Sequence, residues 1–329
     1  MNPRILLARR PSGAPVPEDF RFDQAPLPDL ADGEVLVRHR FLSLDPYQRG
    51  RMDDAKSYAK PVAIGGVMEC QAVGEVAASR DGRFREGDWV LGGFGWQAFS
   101  ARPGKALIPI DPKEAPPSTS LGVLGMPGLT AWVGLKDIGE PKQGETLVVS
   151  AASGAVGQVV GQLGKIAGCR VVGIAGGPAK CAFVKDELGF DAALDHRQPL
   201  EAPLDAACPD GVDIYWENVG GAVQAAVFPR LRDFGRMVMC GMIAQYNGAP
   251  PPGPNLGPVV RKRLRIQGFI VSDTGWARYA QFRAEMLGHI AAGRLTWRED
   301  VVQGLANAPA AFIGLLEGRN FGKLVVALD

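Results

Sequence analysis

A glycine-containing turn directly after an apolar segment constrains the fold of this chain more than any other feature. Thr146–Ser150 has the composition of a buried strand, and Gly154, Gly157 and Gly161 follow it, with a helix predicted over 155–167. Glycines at such a corner let the backbone turn tightly, approach a pyrophosphate and pack the helix close to the strand. The unsatisfied N–H groups of the helix N-terminus can then bind an anion. This spacing predicts the first βα turn of a Rossmann domain.

The elements that follow distinguish a dinucleotide-binding loop from an ordinary strand–turn–helix corner. A second strand is predicted over Arg170–Ala175, a helix over Ala179–Leu188, and further strands over Val212–Trp216 and Arg236–Cys240. Strands that alternate with helices are typical of a parallel, doubly wound sheet. The proline-rich stretch Ala249–Pro258 is predicted to be a loop. The fold class is therefore α/β, and the glycine turn occupies the position expected for dinucleotide binding.

The first third of the chain has short apolar runs bounded by Gly, Pro or Asp. Examples are Glu34–Arg38, Ala72–Val76 and Asp88–Gly92. Strands at this spacing predict an all-β, barrel-like module. A length of 329 residues favours two domains. We therefore expect a β-module over residues 1–122, a Rossmann domain over 123–294 and a C-terminal tail over 295–329.

The end of the second strand bears on the choice of dinucleotide. An NAD enzyme usually carries Asp or Glu there, which accepts a hydrogen bond from the ribose 2′-hydroxyl group. From Gly173 to Lys180 this chain has no acidic residue and ends in a lysine. A 2′-phosphate would be repelled by a carboxylate and attracted by Lys180. A solvated surface position is the ordinary alternative for Lys180 alone, but the missing acid favours NADPH.

The composition argues against several classes of function. A net charge of +1 offers no basic surface for nucleic acid. No apolar stretch is long enough to cross a bilayer, and no G-x-S-x-G nucleophile elbow is present. Five scattered cysteines without a CxxC pair, and a start without a signal-peptide profile, predict a cytoplasmic protein with reduced thiols.

Zinc ligands are scarce in this sequence. Zinc sites need closely grouped Cys, His and carboxylate side chains, whereas the chain has only His39, His196 and His289 and no clustered cysteines. The segment Gly65–Glu69 reads Gly-Gly-Val-Met-Glu, where a zinc dehydrogenase of this two-domain layout would carry Gly-His-Glu. The sequence therefore predicts no metal site, and packing or surface roles for the histidines.

Seven motifs follow one another along the chain: Leu44–Met52, Gly125–Ala131, Ala152–Gly161, Glu217–Gly221, Cys240–Asn247, Gly268–Asp273 and Gly318–Lys323. Together they resemble the zinc-independent medium-chain dehydrogenase/reductases, in the branch of the prostaglandin, plant alkenal double-bond and bacterial curcumin reductases. The resemblance covers essentially the whole chain. It implies that the first 120 or so residues and the tail form a GroES-like β-barrel catalytic domain. It also implies NADPH as the cofactor and a homodimer joined through the Rossmann domains.

The resemblance further implies a set of cofactor-binding residues. The pyrophosphate would contact Gly154, Ala155, Val156 and Gly157, and the 2′-phosphate would contact Lys180. The family commonly has a tyrosine near that phosphate, where this chain has His196 and Arg197, either of which could donate to it. The ribose and nicotinamide would be lined by Asn218, Cys240, Gly241, Met242, Ile243, Ala244, Gln245, Tyr246, Phe269, Ile270, Val271 and Asn320.

The reaction of this family reduces the carbon–carbon double bond of an α,β-unsaturated ketone or aldehyde. Hydride passes to the β-carbon, charge builds on the carbonyl oxygen, and a donor at that oxygen is required. Tyr246 is the candidate donor, because a phenol with a pKa near 10 stays protonated at neutral pH. A ribose hydroxyl group could share this role, and a merely packed ring is the ordinary alternative for Tyr246. Tyr47 is a candidate catalytic-site residue that would form the substrate wall, whereas Asp45 and Arg49 are expected to be structural.

Two other functions are compatible with the same features. A quinone reductase shares the fold, the cofactor and the lack of zinc, and an NADPH-binding protein without turnover would keep the fold alone. The motifs around Tyr47 and Tyr246 favour an enone or enal as the substrate.

Overall fold

The computed structural model describes residues 1–248 and 253–328, which form fifteen strands in three sheets. The strands are β1 Asn2–Leu7, β2 Phe20–Ala25, β3 Glu34–Ser43, β4 Gln71–Ser79, β5 Trp89–Gly93, β6 Phe99–Pro103, β7 Ile108–Ile110, β8 Thr146–Ser150, β9 Arg170–Ala175, β10 Ala192–Asp195, β11 Val212–Glu217, β12 Leu231–Met239, β13 Arg265–Gly268, β14 Glu299–Gln303 and β15 Lys323–Ala327.

The same residue ranges contain ten α-helices. They are α1 Gln48–Arg51, α2 Met126–Gly134, α3 Gly157–Ile166, α4 Pro178–Ala182, α5 Glu201–Ala207, α6 Gly221–Val227, α7 Gly257–Lys262, α8 Val271–Thr274, α9 Tyr279–Ala291 and α10 Ala308–Leu316. The helix predicted over 179–188 is formed by α4 and a π-helical turn at Phe183–Glu187. None of the described helices combines the length and the apolar character that crossing a membrane requires.

The chain divides into two compact units. The β-unit contains Met1–Leu121 and the chain from Glu299 onward, and the Rossmann unit contains Gly122–Arg298. In the β-unit, seven strands form a mainly antiparallel sheet in the order β14-β15-β3-β4-β5-β7, with β6 paired to β3, while β1 and β2 form a two-stranded sheet. Its core includes Phe20, Trp96 and Phe312, whose ring centroids lie 5.5–6.3 Å apart. This β-rich unit agrees with the predicted β-module.

The Rossmann unit contains six parallel strands in the order β10-β9-β8-β11-β12-β13. With β8 as the first strand, this is the 3-2-1-4-5-6 order of a doubly wound dinucleotide-binding sheet, whose switch point lies between β8 and β11. All five residues of β8 are buried, because strands of such sheets are covered on both faces. The predicted α/β fold class is confirmed.

Several predicted boundaries differ from the structure by a few residues. Helix α3 begins at Gly157 rather than at Ala155, because the two preceding residues still belong to the turn. Strand β12 ends at Met239, so Cys240 already belongs to the loop that follows. Of the predicted loop 249–258, residues 249–252 lie outside the described residues, and Gly257 begins α7 with proline in its first turn, where the missing N–H costs nothing.

Candidate active site

The predicted site residues of the Rossmann unit all follow the carboxyl ends of its parallel strands. Because these ends meet at one edge of a sheet, the fold brings the residues to the edge where dinucleotides bind. In chain order they are Gly154–Gly157 after β8, Lys180 after β9, His196 after β10, Asn218 after β11, Cys240–Tyr246 after β12 and Phe269–Val271 after β13. Tyr47 and Asn320 belong to the β-unit.

The turn after β8 has the geometry of a phosphate-binding corner. Ala151 adopts a left-handed conformation with φ of 48°. A Cβ on Gly157 would lie 2.3 Å from the carbonyl oxygen of Ala151, so only glycine is compatible with this close approach. Hydrogen bonding at the start of α3 begins with Gln158 N–H to the Gly154 carbonyl. The N–H groups of Val156 and Gly157 therefore stay outside the hydrogen-bond ladder of the helix and can bind an anion.

Gly161 has a different role from the one predicted. A Cβ at this position would lie 1.7 Å from the ring of Phe190, so Gly161 accommodates an aromatic side chain that precedes β10. The glycine that brings the helix close to the first strand is Gly164, where a Cβ would lie 2.5 Å from the Leu147 side chain. The spacing correctly indicated a glycine-dependent helix contact, but it identified the wrong residue.

Nitrogen-bearing side chains lie beside the turn after β9. His196 Nε2 lies 2.8 Å from the position of a Cβ on Gly176, and Arg197 Nη1 lies 2.7 Å from that of Gly177. Lys180 follows in α4 and is half-buried. The structure therefore places both His196 and Arg197 beside the turn that Lys180 follows.

An acidic residue also reaches this turn, although β9 itself ends without one. Asp195 Oδ1 accepts hydrogen bonds from the N–H groups of Gly177 at 2.8 Å and Arg197 at 3.0 Å. These two N–H groups hold the pKa of the Asp195 carboxyl below its ordinary value. One oxygen of the Asp195 carboxylate thus accepts two backbone N–H groups of this region. Lys180 and Arg197 carry two positive charges against the single negative charge of Asp195, so the net charge of these three residues is positive.

A hydrogen-bonded cluster joins β8 and β11 at the switch point. Glu217, fully buried at the end of β11, accepts hydrogen bonds from Ser150 Oγ at 2.9 Å, Tyr215 Oη at 2.7 Å and Val219 N–H at 2.7 Å. Asn218 Nδ2 donates to the Ser150 carbonyl at 2.7 Å, and Asn218 Oδ1 accepts from Trp216 Nε1 at 3.1 Å. The Asn218 side chain is therefore engaged in linking strands, and its predicted contact with the cofactor remains a prediction.

The loop after β12 is fixed to the loop after β11. Glu217 O accepts the N–H groups of both Cys240 at 2.9 Å and Gly241 at 3.1 Å. Ile243 N–H donates to the Asn218 carbonyl at 3.2 Å, and Ala244 N–H donates to the Val219 carbonyl at 3.0 Å. The segment Ile243–Gln245, with Met242 before it, forms one 3-10 turn that leads into Tyr246. These bonds hold Cys240–Tyr246 in a defined conformation at the carboxyl edge.

Tyr246 and Cys240 differ in what they can contribute chemically. The Tyr246 ring is half-buried, and its hydroxyl oxygen lies 3.5 Å from Met242 N–H, the limit of a hydrogen bond. Burial, and next the Glu217 charge, raise the pKa of the Cys240 thiol to about 12. Cys240 thus stays a neutral thiol at neutral pH, whereas the Tyr246 hydroxyl group can donate a hydrogen bond.

The remaining predicted cofactor residues lie at two places. Phe269 follows β13 and packs edge-on against Trp216, with ring centroids 6.0 Å apart, while Ile270 precedes α8 and Val271 is its first residue. Asn320, in the β-unit, donates from Nδ2 to the Gly322 carbonyl at 2.9 Å. Phe269 thereby contacts the same strand end, β11, that carries Glu217.

Tyr47 lies in a charged corner of the β-unit. The Arg51 guanidinium lies 5.5 Å from the Tyr47 ring centroid, and its Nε donates to Glu69 at 2.7 Å. Burial, and next the charge of Asp45, raise the pKa of Tyr47 well above its ordinary value, so the phenol is protonated. Asp45 is itself buried and ion-paired with Lys323 at 2.7 Å, in agreement with the structural role expected for it.

The part of the chain that the structure describes holds no cluster of zinc ligands, and His39 is used otherwise. Within residues 1–248 and 253–328, no three His, Cys, Asp or Glu side chains are grouped as metal ligands would be. His39 is buried, bonds to the Gln97 carbonyl and to Ser100 Oγ, and burial lowers its pKa to about 3. His39 is thus a packing residue, as predicted. Independence from metal stays a prediction.

Known proteins match this chain over nearly its whole length. Two families match, one described as "N-terminal domain of oxidoreductase" at residues 3–110 and one as "Zinc-binding dehydrogenase" at residues 155–288. The NADPH-dependent curcumin reductase of Escherichia coli (strain K12) is 49% identical and covers 99% of this chain and 96% of that protein. The NADP(+)-dependent 2-alkenal reductase of Nicotiana tabacum is 41% identical and covers 100% of this chain and 98% of that protein.

A solved structure gives the same result for the fold. The crystal structure of CurA from Vibrio vulnificus in complex with NADPH is 50% identical to this chain, with a TM-score of 0.95 and coverage of 99% of both chains. Identity at this level over the full length establishes common descent. The chain belongs to the medium-chain dehydrogenase/reductases, in the branch of the curcumin, alkenal and prostaglandin reductases.

Proposed function

We propose that this protein is an NADPH-dependent reductase of the carbon–carbon double bond in α,β-unsaturated ketones and aldehydes. The observation that carries the proposal is the similarity of the whole chain to NADPH-dependent curcumin reductase and 2-alkenal reductase, at 49% and 41% identity. The switch-point site, with its phosphate turn and its phenol, supplies the groups that such a reaction requires.

The residues at the carboxyl edge of the sheet suit NADPH. The N–H groups of Val156 and Gly157 bind the pyrophosphate, in a corner where any Cβ at position 157 would meet the Ala151 carbonyl oxygen. Lys180, His196 and Arg197 bind the 2′-phosphate, because charged and neutral N–H donors pair strongly with phosphate oxygens. When bound, the cofactor supplies the hydride that reduces the substrate.

The protein's own contribution to the reaction is to stabilise the charge that develops on the substrate. As the β-carbon receives hydride, negative charge grows on the carbonyl oxygen, and a preorganised donor there lowers the barrier. Tyr246 donates its hydroxyl proton in a hydrogen bond to that oxygen. Tyr47, held protonated in its charged corner, forms part of the substrate wall.

The experiment for the proposed function follows NADPH oxidation against a panel of substrates. A 2-alkenal, a conjugated aryl enone and a benzoquinone are compared, before and after prolonged chelation with EDTA. We expect turnover with the alkenal and the enone, saturated carbonyl products that gain two hydrogen atoms by mass spectrometry, and no effect of chelation. Faster turnover with the quinone would assign a quinone reductase instead, and binding without any turnover would assign a non-catalytic NADPH-binding protein.

Lys180→Glu is expected to lower the preference for NADPH over NADH by about tenfold or more. A charge-assisted hydrogen bond to phosphate contributes about 1.5–3 kcal/mol, and the new carboxylate would in addition repel the phosphate. Dissociation constants for both cofactors, measured by isothermal titration calorimetry, check this. Lys185→Glu is the matched control, because Lys185 is exposed on the π-helical turn that continues α4. Equal loss of preference in both variants would show a general charge effect rather than a phosphate contact.

We also infer a homodimer formed through strand β13. This strand is an edge of the six-stranded sheet, all four of its residues are exposed, and Ile266 is an exposed large apolar side chain on it. An edge strand has unpaired N–H and C=O groups on its outer side, which a second copy can pair across a two-fold axis.

Ile266→Lys is expected to convert this dimer to a monomer, since two lysines would face each other near the two-fold axis. Light scattering after gel filtration measures the mass. Val301→Lys is the control, because Val301 is likewise exposed on β14, an edge strand of the β-unit sheet. The dimer site would be wrong if Val301→Lys dissociated the protein and Ile266→Lys did not.

A cytoplasmic location completes the proposal. All five cysteines are free thiols, which is the state that a reducing compartment maintains.

A further inference from the structure

Strands β8 and β11 flank the switch point. Among their residues, Glu217 is the only acidic one that is fully buried, and it is the last residue of β11. Strand β11 lies between β8, which leads into the phosphate turn, and β12, which leads into Cys240–Tyr246. The main-chain carbonyl of Glu217 accepts the N–H groups of Cys240 and Gly241. Glu217 is adjacent to Asn218 in the chain. Its main-chain carbonyl is therefore hydrogen-bonded to the start of Cys240–Tyr246, the proposed nicotinamide loop.

The charge of Glu217 has no cationic partner among the described residues. Its two oxygens accept from the Ser150 hydroxyl, the Val219 amide and the Tyr215 hydroxyl, all of which are neutral donors. Three neutral donors solvate a buried carboxylate, but they bring no opposite charge to it. Burial, and next the charge of Glu217, raise the pKa of both Tyr215 and Cys240. In a buried environment with few charges, such a field extends over several residues.

We propose that the buried Glu217 carboxylate stabilises the oxidised, positively charged nicotinamide relative to the reduced ring, and so makes the bound cofactor a stronger hydride donor. The inference rests on the proposed function, because it requires the nicotinamide to bind beside Cys240–Tyr246. It adds to that function a residue that acts through its charge, without contact with the substrate.

The charge balance of the reaction explains why a buried anion matters here. Two electrons and one proton leave C4 of NADPH together as hydride and form the new C–H bond at the β-carbon of the substrate. The nicotinamide ring changes from neutral to a cation of charge +1, and a proton from solvent completes the saturated product at the α-carbon. A fixed negative charge near the ring lowers the free energy of the cationic state and leaves that of the neutral ring nearly unchanged.

Glu217→Gln removes the charge and preserves the shape of the side chain. The amide oxygen can keep the bonds from Ser150 and Val219, while the amide N–H group can donate to Tyr215 Oη, whose hydroxyl hydrogen then rotates away. We expect the ratio of dissociation constants, NADP⁺ over NADPH, to rise by about tenfold, the order of effect that one unit charge produces at an effective dielectric constant of about 20. For a two-electron couple this raises the potential of the bound cofactor by about 30 mV.

Tyr215→Phe is a second variant with the opposite expected sign. It removes a hydroxyl dipole that points at the carboxylate but keeps the carboxylate itself, so the same ratio should fall by about twofold. It also tests the proposal if Glu217→Gln does not fold. The fragment 2′,5′-ADP, which lacks nicotinamide, should bind the wild-type protein and both variants with equal affinity, because its binding reports only on the adenosine and phosphate part of the site.

Isothermal titration calorimetry with NADPH, NADP⁺ and 2′,5′-ADP gives all the ratios required. A ratio that stays within twofold of wild type in Glu217→Gln, with 2′,5′-ADP binding retained, would overturn the proposal and leave Glu217 as a structural residue. A ratio that rises in Tyr215→Phe would also overturn it. If the wild-type protein bound neither NADPH nor NADP⁺, the proposed function itself would be wrong, a result distinct from both of these.

Discussion

Tyr246→Phe is expected to lower the turnover number by about 10- to 100-fold. Loss of one oxyanion donor typically costs about 2.7–4 kcal/mol, or about 100–1,000-fold in rate, and a ribose hydroxyl group of the cofactor compensates for part of this. The ring should keep its position, since the hydrogen bond that its hydroxyl oxygen accepts from Met242 N–H is long, at 3.5 Å. The measurement is kcat under conditions where a deuterium isotope effect with C4-deuterated NADPH shows that hydride transfer is rate-limiting.

Tyr279→Phe is the matched control for this experiment. Tyr279 lies in the same unit, but its hydroxyl group donates to the buried Leu124 carbonyl at 2.9 Å, which is not part of the loop Cys240–Tyr246. Its loss should affect stability by about 1 kcal/mol and leave kcat unchanged. An unchanged kcat in Tyr246→Phe would make Tyr246 a wall residue and move the search for the donor to Tyr47 and the ribose. A large loss of NADPH affinity would instead make Tyr246 a cofactor contact.

Lys323→Met is expected to lower the free energy of unfolding by about 3–5 kcal/mol, because it leaves a buried carboxylate without its cation. Lys323 and Asp45 pair at 2.7 Å with side chains only 2% and 7% exposed, and Lys323 Nζ also donates to the Leu44 carbonyl at 2.8 Å. Urea denaturation, with the slope m compared between variants, measures the change.

Two further variants separate charge from packing. Lys165→Met breaks an exposed pair with Asp191 of nearly the same length, 2.8 Å, and should cost about 1 kcal/mol or less. Lys323→Met combined with Asp45→Asn should recover most of the lost stability, because no unpaired charge then remains. If Lys323→Met destabilised the protein no more than Lys165→Met does, the buried pair would contribute little to the stability of the β-unit.

Features encoded by neighbouring residues were accessible from the sequence. Strand β9 has the predicted bounds, Arg170–Ala175, because an apolar, β-branched run between polar and glycine residues defines a buried strand locally. Lys180 was equally accessible, since it follows that strand by five residues. The Asp195 carboxylate, which caps the same turn, was not predicted, because it comes from a strand 18 residues farther along the chain.

The hydrogen-bonded cluster at the switch point is a clearer example of a contact between distant residues that the sequence does not reveal. Ser150 and Glu217 are 67 residues apart in sequence, and only the pairing of β8 with β11 brings them together. The available signal was an acidic residue at the end of the apolar strand Val212–Trp216, where a buried charge requires partners. Likewise, the contact between Gly161 and Phe190 depends on how the connection before β10 packs on α3, which spacing alone does not specify.

Strand β15 has a consequence for how the protein is synthesised. It lies inside the β-unit sheet, between β14 and β3, and its first residue bonds to a carbonyl 279 residues earlier in the chain. The ribosome must therefore pass Ala327 before this sheet can be completed, whereas Gly122–Arg298 is contiguous and can fold while the chain is still growing. Until β15 has been synthesised, the edge of β3 that it will pair with has unpaired N–H and C=O groups. We therefore expect the nascent β-unit, more than the Rossmann unit, to depend on chaperones.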